Sequence, residues 1–132
     1  MSTKTTTIWK KGQHFTSYHD KNEIRIDGDR QEGFGPKALL LSALAACSGI
    51  DVVDILKKMR VEFSELEISA EAEQTEEHPR VFKEIQLFYK IKSDRINEDK
   101  IKKAIDLSLD KYCGVAAMLK KNSKIHYKIG FE

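Results

Sequence analysis

The sequence predicts an α+β protein, and three observations carry that reading. Residues 38–50, A-L-L-L-S-A-L-A-A-C-S-G-I, hold no charge at all. Residues 65–73 and 85–91 alternate apolar and polar side chains, the period of a half-buried strand. Ile101, Ala104, Ile105, Ser108, Leu109 and Tyr112 instead recur at helical spacing. Strands and helices grouped along a chain in this way indicate segregated layers rather than repeating βαβ units.

Taken in order, the first third reads as short strands. Thr5, Thr7 and Trp9 alternate with Thr6 and Ile8, and Lys10-Lys11-Gly12-Gln13 reads as a turn. Residues 15–18 and 24–26 make two further strands, separated by the turn Asp20-Lys21-Asn22-Glu23. Asp27-Gly28-Asp29 ends the third, and R-Q-E-G-F-G at 30–35 is a loop by composition.

A long helix follows, from Pro36 to Arg60. Proline suits its first turn, and Lys57, Lys58 and Arg60 suit the negative end of its dipole. Apolar residues on every side predict burial on every side. The uncharged run is shorter than the roughly 20 residues a membrane span needs. The helix is therefore expected at the centre of the fold, enclosed by sheet and by a second copy of the chain.

Beyond it, Leu66, Ile68, Ala70 and Ala72 face one way and Glu65, Glu67, Ser69, Glu71 and Glu73 the other. Ile85, Leu87, Tyr89 and Ile91 repeat the pattern, so the two stretches are expected to form a hairpin across Q-T-E-E-H-P-R. Asn97, followed by Glu98 and Asp99, is a helix start. Cys113-Gly114 interrupts that helix, V-A-A-M-L-K-K-N at 115–122 makes a last short one with Asn122 as its cap, and Ile125, Tyr127, Ile129 and Phe131 mark a final strand. No repeat or linker divides the chain, which reads as one domain over residues 1–132.

Composition narrows the function. Basic and acidic residues number 23 and 21, a balance of +2 that argues against a nucleic-acid or anionic-membrane partner. The start, M-S-T-K-T-T-T-I-W, has no apolar export core, and two cysteines without one point to the cytoplasm. No Gly-rich phosphate loop is present, and His14, His19, His78 and His126 have no metal-ligand spacing, so neither a nucleotide nor a metal is expected.

Cys47 and Cys113 remain as candidate chemistry. By pattern alone each reads first as a small buried hydrophobe, the ordinary state of a free cysteine. Cys47 sits in the helix interior with Asp51 one turn on, surroundings that lend a thiolate no support. A reactive Cys47 therefore needs a cation from elsewhere, for which Lys10, Lys11, His14 and Arg80 are the candidates.

The chain resembles the OsmC/Ohr family of hydroperoxide-reducing proteins. The resemblance rests on G-P-K-A-L-L-L-S-A-L-A-A-C-S at 35–48, H-P-R-V-F at 78–82, D-K-Y-C-G-V-A at 110–116 and the order of elements. It implies an OsmC-like fold and an intertwined homodimer with central helices packed together between sheets. It further implies that Cys47 is the peroxidatic thiol, attacking an organic hydroperoxide to become a sulfenic acid, and that Cys113 resolves it into a disulfide. A dithiol reductant would reopen that bond, and no cofactor would be bound. The family's glutamate at the helix start is replaced here by Pro36-Lys37-Ala38-Leu39, and its paired arginine has no match in the first hairpin. The family fold also admits a non-catalytic dimer binding a hydrophobic small molecule at the interface, or an interaction module with idle cysteines.

Overall fold

Threonine, isoleucine and aromatic side chains favour extended backbone, and a computed structural model of residues 1–132 pairs the first three such stretches into an antiparallel sheet. Its strands are β1 (Thr6–Lys11), β2 (His14–His19) and β3 (Asn22–Asp27), in that order. Lys10 and Lys11 belong to β1 rather than to the turn, which closes at Gly12 with φ of 53°. The indole N–H of Trp9 donates to the Gly12 carbonyl at 2.9 Å and seals that corner. At the other end the buried Asp27 carboxylate accepts the backbone N–H groups of Asp29, Gln31 and Glu32 at 2.9, 3.1 and 3.1 Å. Those bonds, that of Glu32 foremost, hold the Asp27 carboxyl below its ordinary range and fix the loop that follows.

The chain divides into two compact units, Met1–Leu40 and Leu41–Glu132. The second is built on helix α1 (Pro36–Lys58), which begins just ahead of it, and on a sheet of β4 (Leu66–Gln74), β5 (Phe82–Ile91) and β6 (Lys124–Phe131). β4 and β5 form the expected hairpin, with Leu66 opposite Ile91, Ile68 opposite Tyr89 and Ala70 opposite Leu87. β6 joins the other side of β5 in parallel, Ile85 beside Ile125 and Tyr89 beside Ile129. α1 ends two residues before the expected Arg60, which adopts φ of 59°. There the Arg60 N–H donates to Lys57 and the Val61 N–H reaches back to Leu56 at 2.9 Å, closing the helix end.

Leu44, Ser48, Val52 and Leu56, one per helical turn, form the buried stripe of α1. They share a core with Ile85, Leu87, Tyr89 and Ile91 of β5 and with Ile101, Ala104 and Ile105 of α2 (Glu98–Leu107). Burial on every side is not what a single chain provides. Only 22% of the apolar window of α1 is buried, and Ile50 stands 64% exposed. With all 23 residues counted, α1 is also long and apolar enough to cross a bilayer, although its buried stripe sits in the core.

The crossover from β5 to β6 departs from expectation in three places. Asp94 caps a short 3-10 turn, Arg95–Asn97, by accepting the Ile96 N–H at 2.9 Å, and Asn97 starts α2 without a side-chain cap. The helical stripe then breaks. Ser108–Tyr112 is a π-helical turn in which the Cys113 N–H reaches Ser108 at 2.7 Å, five residues back. The wider turn rotates Tyr112 out of the stripe, leaving it 55% exposed. Helix α3 (Gly114–Leu119) is shorter than expected, and Asn122 donates to the Phe82 carbonyl at 2.9 Å instead of capping it.

Candidate thiol site

Cys47 lies midway along α1, half-buried against the core, and Cys113 lies between the π turn and α3, only 3% exposed. Both are free thiols. Extended backbone at Cys113 (φ −76°, ψ 104°) makes it the N-cap of α3, where its Sγ accepts the Ala116 N–H at 3.3 Å. The fold makes the two thiols neighbours, near enough for Cys47 to act on the titration of Cys113. Burial first, and Cys47 next, push the Cys113 thiol up to about 11, while the Ala116 N–H pulls the other way.

Beside the thiols runs a polar chain that the sequence reading missed. Ser48 Oγ and the Tyr89 hydroxyl share a hydrogen bond of 2.6 Å, and Ser108 Oγ lies 3.0 Å from Ser48 Oγ and 2.9 Å from Asp51 Oδ2. Ser48, Ser108 and Tyr89 are fully buried. Burial pushes the Tyr89 hydroxyl up to about 12 against the opposing effect of its Ser48 bond, and Cys113 and Asp51 add to the rise. The available signal was a serine, Ser48 or Ser108, standing in each of two apolar helical stripes. Their partners are distant along the chain, so periodicity alone does not connect them.

The candidate cations are dispersed. Lys10 and Lys11 are exposed on β1, and His14 stands 3.7 Å from Asp27 and 3.5 Å from Glu32, all within the first unit. In the second, Arg80 donates through Nε to the Glu76 carbonyl at 3.2 Å. Lys37, at the start of α1, is half-buried. No three of the His, Cys, Asp and Glu side chains gather in a group that could hold a metal ion.

Comparison with known proteins adds to this geometry. Residues 21–128 match the family described as OsmC-like protein. Protein YhfA of Escherichia coli is 37% identical over 101 residues, 76% of this chain and 75% of that one. An OsmC-like protein from Mycoplasma pneumoniae superposes with a TM-score of 0.87 at 23% identity, over 99% of this chain and 97% of the other. The organic hydroperoxide resistance protein OhrB of Bacillus subtilis superposes at 0.68 with 19% identity, over 98% of each. With the family match running from the start of β3 into β6, the chain belongs to the OsmC-like protein family.

Proposed function

We propose that this protein reduces organic hydroperoxides with its own thiols, Cys47 acting as the peroxidatic cysteine and Cys113 as the resolving one, in defence against oxidative stress. The observation that carries the reading is that two thiols far apart in the sequence are neighbours in the fold, the Ser108 hydroxyl before Cys113 lying 3.0 Å from Ser48 Oγ beside Cys47. The name of OhrB, a protein of the same fold, supports the substrate class. In the first step the Cys47 thiolate attacks the terminal oxygen of ROOH, the O–O bond breaks, and ROH leaves once the alkoxide takes up a proton. Cys47 is then a sulfenic acid. Attack by the Cys113 sulfur forms the S–S bond and expels hydroxide, which leaves as water with the Cys113 proton. A dithiol reductant, oxidised to its own disulfide, returns both cysteines to thiols. Dependence on a thiol reductant suits the cytoplasm.

The reading also takes the working protein to be a homodimer with one domain per chain, since α1 leaves Ile50 and its neighbours uncovered. The decisive experiment follows loss of cumene hydroperoxide in the presence of a dithiol. Turnover that vanishes in Cys47→Ser, and that in Cys113→Ser falls and proceeds without an internal disulfide, is the expected pattern. Absence of consumption by the wild-type protein with any dithiol refutes the proposal.

One observation favours a second reading, a non-catalytic dimer that binds a hydrophobic small molecule. A groove of about 600 Å³ runs between α1 and β4, lined by Ala45, Ala46, Gly49, Ile50, Leu66 and Ile68 among others. That reading expects a ligand whose affinity is unchanged by Cys47→Ala.

A further inference from the structure

We propose that Ser108 is the positioning residue of the thiol pair, tying the turn that carries Cys113 to the turn of α1 that carries Cys47. The inference deepens the two-thiol reading above, and it rests on Ser108 being held at both ends. Its carbonyl accepts the Cys113 N–H at 2.7 Å, so the backbone leading into the thiol hangs from this residue. Its hydroxyl reaches Asp51 Oδ2 at 2.9 Å and Ser48 Oγ at 3.0 Å. Ser48 is the residue after Cys47, and Asp51 lies one helical turn further on. The tie is anchored from behind as well, because Tyr89 of β5 holds Ser48 at 2.6 Å.

The local backbone explains why a tie is needed. Ser108–Tyr112 is a single π turn, a conformation that is rare by itself and persists where neighbouring contacts determine it. Ser108 opens that turn and is wholly buried. An apolar residue would fill the space but leave the turn free to relax toward a regular helix. Relaxation of one residue's register would carry Cys113 away from Cys47, since position along a helix is also direction around it. Serine at this site thus exchanges a small apolar contact for a fixed separation between two sulfurs. Asp51 is the acceptor that orients the hydroxyl, a carboxylate oxygen being able only to accept from it.

The quantity this arrangement sets is the effective concentration of one thiol at the other, which glutathione redox buffers measure without any peroxide. In such a buffer the two thiols and one glutathione disulfide give the Cys47–Cys113 disulfide and two glutathione thiols. Mass spectrometry of quenched samples reads the ratio. Ser108→Ala and Asp51→Ala are expected to lower the effective concentration at least tenfold, about 30 mV for a two-electron couple. Asp51→Asn keeps an acceptor oxygen and is expected to stay within about threefold of wild type, a rescue that mere loss of stability would not produce. Asp51 is only half-buried, so its variants decide the matter should Ser108→Ala fail to fold. Values within twofold of wild type for the alanine variants overturn the proposal. So does an Asp51→Asn value as low as that of Asp51→Ala, or a wild-type protein that forms no internal disulfide. A wild-type protein that forms the disulfide but consumes no hydroperoxide sinks the peroxidase reading and leaves the positioning role standing.

Discussion

Cys113 is drawn in opposite directions by its surroundings. Burial and the neighbouring Cys47 keep the proton on, the N–H of Ala116 works to take it off, and the balance lies near 11 against an ordinary 9.0. Because only the thiolate is alkylated, Cys113 of the folded protein is expected to react with iodoacetamide at a rate climbing about tenfold per pH unit well past 9.0. Site-resolved mass spectrometry from pH 7 to pH 11 follows this; a plateau already at pH 9 contradicts it. The sign for stability is definite. The unfolded thiol ionises first, so this group's contribution is complete below pH 9.0 and is lost as pH rises toward 11. At this scale the sequence singled out both cysteines but not their setting. Cys113 as a helix cap, and the serines beneath it, rest on backbone geometry that a cysteine followed by glycine does not announce.

Among the elements, those with clean periodicity were legible. Alternation located β4 and β5 and paired them correctly, and the uncharged run located α1 to within two residues at its end. Irregular turns were not. Tyr112 fits the stripe that Ile101 begins, and only the extra residue per turn in Ser108–Tyr112 removes it. The parallel docking of β6 on β5 left no mark in either strand's own pattern, because alternation states which face is buried and not which neighbour lies alongside. α3 supplies a prediction of its own. Gly114 is its first residue, its φ lies outside the left-handed region, and a Cβ placed there meets nothing within 4 Å. Gly114→Ala is expected to stabilise the protein by about 0.4–1 kcal/mol, chiefly by restricting the unfolded chain. The urea midpoint measures this, and a decrease contradicts the assignment of Gly114 as a freely substitutable first helical position.

For the whole molecule, the exposure of α1 is the dominant fact. Composition alone said that the helix must be covered, and one sheet covers one stripe of it. The missing cover is the part no single sequence spells out, because it belongs to the assembly. In the dimer proposed above, Ile50, 64% exposed in the single chain, is expected to lie at the contact. Ile50→Lys should shift sedimentation from the mass of two chains to that of one; an unchanged dimer of this variant places the contact elsewhere.

The parallel seam between β5 and β6 has a temporal consequence. Parallel neighbours cannot be joined by a short reversal, so everything from Ile91 to Lys124, Cys113 included, is the bridge between them. That bridge closes only when the last strand docks, a long-range event that polymer entropy makes slow. Until then Cys47 lacks Cys113 as a neighbour, and in the two-thiol chemistry proposed above an oxidant reaching it would give a mixed disulfide or a sulfinic acid instead of the internal bond. On that proposal the internal disulfide is reserved for chains that have finished folding.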